Sequence, residues 1–298
     1  MRLHSLKYLV SLAAIFFLII GCEKNVVVDV PEAEEAIVVE GSIETNEHPV
    51  VYLSRTLPFF GVISTTDIIK NTISGATIVI SDGTTTDTLI QPLAGIGYYT
   101  SLNITGEVGK GYSLTIYVEG KTLTSFTTIP HPAPLDSVWW KVDGNRDSLG
   151  YAWAHLTDPD TLGNCYRWYA KRINRYTYGE EAGKVKDSIF IVGPGGVFED
   201  KFFNTKSFDF SFPRGKLSYT DKEDDNNEEE FLFKRGDTII VKLCSIDRAH
   251  FSFWRSEETQ VQNNGNPFGS PAPITGNVDG GLGIWGGFSP VFDTIYAQ

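Results

Sequence analysis

The sequence predicts an all-β protein, and three observations predict it. From Ala36 onward, short runs rich in Val, Ile, Thr and Tyr are separated by Gly, Asn and Asp at intervals of about ten residues, the spacing of strands and tight turns. Side chains alternate within the runs: Leu114, Ile116 and Val118 share one face, and Ser113, Thr115 and Tyr117 the other, which suits a strand buried on one side. The 298 residues include 29 Gly and 14 Pro, which punctuate elements, and helical periodicity is confined to a single segment. A hydrophobic content of 41% supports a sizeable core and excludes disorder as the main state. A net charge of -12 argues against binders of nucleic acid or anionic lipid, which need clustered Lys and Arg.

Taken in order, residues 36–129 are expected to form an immunoglobulin-like or transthyretin-like sandwich with strands at Ala36–Glu44, Val50–Thr56, Ala76–Ser81, Thr86–Gln91, Gly97–Thr100, Tyr112–Val118 and Thr122–Thr128. Ser81-Asp-Gly-Thr84 and Val118-Glu-Gly-Lys121 each place Gly after an acidic residue between strands, which predicts two tight hairpins. The prolines of 130–134 cannot donate to a sheet ladder, so this stretch is expected to be a linker. Residues 135–298 then read as a larger, aromatic-rich β domain, with strands clearest at Leu135–Val142, Tyr151–Leu156, Cys165–Asn174, Ser188–Val192 and Thr238–Ser245. One short helix is expected over Asp247–Gln262, with Asp247 as N-cap and Phe251 and Trp254 on its apolar side.

The N-terminus carries an address. Arg2, His4 and Lys7 precede an apolar run from Leu9 to Ile20, the layout of a secretory signal peptide over residues 1–21. The run closes Ile19-Ile20-Gly21-Cys22, which resembles the bacterial lipobox and implies cleavage before Cys22 and acylation of that residue. The alternatives are a plain signal peptide or an N-terminal transmembrane helix, and the run is short of the roughly 20 residues a span needs. Residues 22–35 are expected to be a lipidated tether. With Cys22 lipidated, Cys165 and Cys244 are the remaining thiols; they either pair across neighbouring strands in an oxidising compartment or stay buried and free.

Gly281-Leu-Gly283-Ile-Trp-Gly286 matches a dinucleotide-binding pattern, yet too little chain follows it for the helix, strand and acidic residue such a site requires. The acidic run 221–230 and the Asp143-Gly-Asn145-Arg-Asp147 stretch fail at the glycine and glutamate positions of a calcium loop, which leaves a solvated loop or weak calcium binding for the former. His48, His131, His155 and His250 lack metal-ligand spacing. No cofactor, metal or catalytic residue is therefore expected. Aromatic residues concentrate in the second half, from Trp139 to Phe212, and serve either as core or as a platform for sugars or peptides, with none of them assigned to a platform.

The tail Asn266-Pro-Phe-Gly-Ser-Pro-Ala-Pro-Ile-Thr-Gly-Asn277-Val-Asp-Gly280-Gly281-Leu-Gly283-Ile-Trp285-Gly286 resembles the closing signature of a Bacteroidetes lipoprotein family catalogued as domain of unknown function 4249, or DUF4249. Ile37-Val-Val-Glu-Gly41, Ser74-Gly-Ala-Thr-Ile78 and Asp158-Pro-Asp-Thr-Leu-Gly-Asn-Cys-Tyr-Arg167 agree with it as well. The resemblance implies an outer-membrane lipoprotein with an accessory part beside a TonB-dependent nutrient receptor, with the cell surface favoured over the periplasmic face. Two functions follow as expectations: a non-enzymatic binding or accessory role, or a surface hydrolase of glycan or peptide using a carboxylate pair. For the glycine-rich tail the readings are a packed closure of the second domain or a partner interface at Asn277, Gly280, Gly281, Gly283, Trp285 and Gly286.

Overall fold

The computed structural model describes residues 35–57, 64–144, 146–215, 231–263 and 273–298. Residues 1–34, where the leader, Cys22 and most of the tether are expected, lie outside the described residues, as do Asn145, the acidic run 221–230 and the tail stretch 266–272. The described chain is mostly strand. In order it forms β1 (Ile37–Glu44), β2 (Val50–Arg55), α1 (Thr65–Lys70), β3 (Thr77–Ser81), β4 (Thr86–Thr88), β5 (Tyr98–Thr100), β6 (Gly111–Val118) and β7 (Lys121–Thr128). There follow β8 (Leu135–Val142), β9 (Leu149–Thr157), β10 (Cys165–Arg172), β11 (Ile191–Glu199), a 3-10 turn (Asp200–Phe202) and β12 (Ser207–Ser211). The chain then continues through β13 (Phe233–Lys234), β14 (Thr238–Ile246), α2 (Arg248–Asn263) and β15 (Leu282–Tyr296).

Every strand expected from the sequence has a counterpart, although the one placed at Ser188–Val192 is β11 and runs on to Glu199. Strands β12, β13 and β15 and helix α1 were not foreseen. Helix α1 is a correction to the expectation of a single helix. Its six residues carry no apolar stripe, and it is set by a capping box in which Ser64 Oγ accepts from Asp67 N and Asp67 Oδ2 accepts from Ser64 N. Helix α2 lies one residue from its expected place. Asp247 caps it, Oδ1 accepting from His250 N at 2.8 Å, while Oδ2 accepts from Thr128 N at 3.3 Å and from the Thr127 hydroxyl.

One seven-stranded sheet, in the order β11-β10-β14-β15-β1-β2-β5, organises the chain. Its pairs are antiparallel except β1 with β15, which run parallel. Because side chains alternate across a sheet, each strand contributes to two faces. On one face Val39, Ile43, Val51, Leu53 and Trp285 pack against Ile78, Ile80, Leu114, Ile116 and Leu123 of the four-stranded sheet β4-β3-β6-β7. Farther along that face Tyr166, Trp168, Val241, Leu243 and Ile295 pack against Ala152, Ala154, Leu156 and Phe210 of a second small sheet, in which β8 flanks β9 on one edge and β12 and β13 on the other. The opposite face carries α2, whose Phe251 and Trp254 cover Cys165, Cys244, Ile246 and Phe288.

The proline stretch therefore separates two cores but not two sheets. Val278 and Trp285, from the C-terminal part of the chain, sit in the first core, and Ile295 of the same strand as Trp285 sits in the second. Residues 35–298 form one compact unit.

Buried carboxylates staple the connections of the second half. Asp187 holds Arg172 through both oxygens at 2.9 Å and accepts from the Arg172 backbone N–H at 2.7 Å. Asp158 accepts from the Tyr166 hydroxyl at 2.5 Å, and Asp200 receives the backbone N–H groups of Gly163 and Asn164. Asp237 pairs with Lys186 at 2.5 Å. Each anion is taken out of water only where donors replace its hydration.

Candidate ligand platform

The outward face of the β8-β9-β12 layer sets half-buried aromatic side chains beside polar ones. Period two turns Val138, Trp140, Ala152, Ala154, Leu156, Phe208 and Phe210 toward the second core. It turns Ser137, Trp139 and Lys141 of β8, Tyr151, Trp153 and His155 of β9, and Asp209 and Ser211 of β12 away from it. The small Ala152 and Ala154 face inward because bulky rings already fill that space: Trp168 meets Phe210 edge-on at 5.4 Å, and Phe198, Phe208 and Phe212 close around them. The large aromatic residues of β9 are left on the solvent side.

Register lines these residues into rows. Trp139 lies opposite Trp153, and the two indoles form a near-parallel pair with centroids 6.4 Å apart and planes 20° apart. Ser211 completes that row on the far side of Trp153. Lys141, opposite Tyr151, reaches back over the Trp153 ring at 5.2 Å. The neighbouring row is polar: Ser137, His155 and Asp209 stand side by side on three strands, with His155 Nδ1 2.6 Å from Asp209 Oδ1. Among the described residues the indole N–H groups of Trp139 and Trp153 have no hydrogen-bond partner, and neither is among the buried, unsatisfied polar atoms. The face thus combines aromatic surface with hydroxyl and indole donors, the Lys141 ammonium and the His155–Asp209 pair.

The sequence marked these aromatic residues without assigning them a side. A signal was present in the adjacent pair Trp139-Trp140, because consecutive strand residues point in opposite directions and one indole had to leave the core. The alternation Tyr151-Ala-Trp153-Ala-His155 hides the answer, since it is the alanines that face inward.

The glycine-rich tail has a different fate. Trp285 is fully buried in the first core, its Nε1 donating to the Tyr112 carbonyl at 3.0 Å. Asn277 clasps the Trp285 backbone from both sides, donating to its carbonyl and accepting from its N–H at 2.8 Å each. Close approach is what the glycines supply. A methyl group on Gly41 would meet the Trp285 ring at 2.7 Å, and one on Gly283, where φ is +109°, would meet the Val39 carbonyl oxygen at 1.9 Å. Gly281 lies against Leu123 and Gly286 against the His250 ring, whereas Gly280 is exposed. Trp285 and Gly286 therefore form internal packing and present no surface to a partner.

Cys165 and Cys244 are both free and buried. They share one face of neighbouring strands, but Cys165 is opposite Ile246 and Cys244 opposite Arg167, so the thiols sit on a diagonal rather than as a direct cross-strand pair. Burial pushes both thiols up to about 12, which keeps them protonated and unreactive.

A family model described as "Domain of unknown function (DUF4249)" matches residues 23–291. No curated protein matches the chain.

Proposed function

This chain belongs to the DUF4249 family, a domain of unknown function, and we propose that it is a lipid-anchored, non-enzymatic binding protein; a place at the outer membrane beside a TonB-dependent receptor is what the family resemblance implies. The observation that carries the binding role is the outward row of Trp139 and Trp153, aromatic surface left on a sheet face whose inner side is already filled. Anchoring is supported by the lipobox-like Ile19-Ile-Gly-Cys22 after an apolar run. The buried carboxylates Asp158, Asp187, Asp200 and Asp237 are each engaged in structural bonds, which is why we favour binding over hydrolysis by a carboxylate pair.

Affinity purification of the native lipoprotein from detergent-solubilised membranes tests the role. Recovery of a TonB-dependent receptor in near-equal amount supports it, and isolation as a lone protein that cleaves a polymer overturns it. Anchoring is tested by Cys22→Ser, which should release the mature chain from membranes; continued partitioning into detergent would refute lipidation at Cys22. Protease shaving of intact cells distinguishes the cell surface, which we favour, from the periplasmic face.

A further inference from the structure

We propose that the outward face of the β8-β9-β12 layer binds a neutral carbohydrate, with a sugar ring against the Trp139–Trp153 pair and its hydroxyls on the Ser137–His155–Asp209 row. The inference rests on the binding role above and names the class of ligand.

The chemistry of the rows selects the ligand. The aromatic row asks for an apolar surface, and the row beside it asks for groups that both donate and accept. Same-face rows on a strand are about 7 Å apart, so one ligand must offer both characters over a short distance. A sugar ring does so, because its C–H face is apolar and its rim is hydroxyl. A purely apolar occupant would cover Asp209 and His155 without replacing their water, which costs free energy. A polyanion would meet a chain of net charge -12, with Asp209 in the row itself.

The platform is also rigid. Strand β9 is paired along both edges, by β8 and by β12 and β13, so its side chains are held in register before a ligand arrives. Two indoles already in contact with each other lose little freedom when a ring settles on them. Their N–H groups, without a partner among the described residues, add donors at the rim.

The test uses the full lipidated chain in a polyoxyethylene detergent, since alkyl glycoside detergents would themselves present sugars. Cellohexaose, maltohexaose and mannohexaose are titrated by calorimetry and by quenching of tryptophan fluorescence. At least one should bind, and Trp139→Ala and Trp153→Ala should each weaken it about tenfold, the scale of one aromatic contact. Trp153→Phe should keep most of the affinity, and Tyr117→Ala, an exposed aromatic on the other small sheet, should change nothing. Circular dichroism of each variant separates lost binding from lost fold. No binding tighter than about 1 mM by any of the three sugars, or binding that folded Trp139→Ala and Trp153→Ala proteins retain in full, would overturn the proposal. Receptor co-purification by the Trp153→Ala protein is read separately, so failure of the platform and failure of the accessory role give different results.

Discussion

Trp285 anchors in the first core the strand β15 that also serves the second, and truncating it gives a sharp test of the architecture. Trp285→Ala removes a fully buried indole, for which about 3–5 kcal/mol is typical, and strands the Tyr112 carbonyl that accepts its Nε1–H at 3.0 Å. An unmade bond of that kind adds about 1 kcal/mol, so we expect a loss of about 4–6 kcal/mol against a total stability of typically 5–15 kcal/mol. Trp285→Phe keeps a ring between Gly41 and the small sheet and should lose only about 2 kcal/mol, from the bond and the missing ring atoms. Urea unfolding followed by far-ultraviolet circular dichroism measures both. With an m-value of about 3 kcal/mol/M, the alanine midpoint should fall by about 1.5 M. The wild-type transition should be single, because β15 places Trp285 in one core and Ile295 in the other. A loss below about 1 kcal/mol for Trp285→Ala, or an unfolding curve in which one core melts well before the other, would refute this reasoning.

Other outcomes follow from particular side chains. Burial against Arg167 depresses His250 from 6.5 to about 3, so the unfolded chain takes up a proton below pH 6.5 that the folded chain refuses, and stability falls as pH drops from 7. This residue should cost about 2 kcal/mol at pH 5, and urea titrations should show a shallower acid slope in His250→Gln; an unchanged slope would contradict the burial. Asp187 is held below its usual value by Arg172, so its contribution is present above the ordinary carboxylate range and is lost only as pH falls beneath it. Asp187→Asn leaves the Arg172 guanidinium buried without its anion and should cost about 3–5 kcal/mol in the same assay; a loss within error would mean the pair is solvated. Iodoacetamide should leave Cys165 and Cys244 untouched in the native protein and modify both in urea without reductant, as read by mass spectrometry. A native mass two hydrogens lighter would instead reveal a disulfide.

What the sequence determined by itself is local. Strands such as Ile37–Glu44 and Gly111–Val118 were legible because one buried face imposes period two on the residues that make them. Asp247 announced α2 because a cap is a bond between near neighbours. The lipidation proposed at Cys22, too, rests on a short contiguous motif.

The tertiary structure decided what distant segments do to one another. Strand β15 was hidden because its glycines break the hydrophobic pattern, and their purpose appears only when β1 lies alongside and Val39 approaches Gly283. The same contact makes one sheet serve both cores, which no boundary drawn at prolines could convey. The platform depended on a further long-range fact. Whether Trp153 or Ala154 faces water is settled by the rings that fill the second core from β10, β11 and β12, since alternation defines two faces without saying which one is buried.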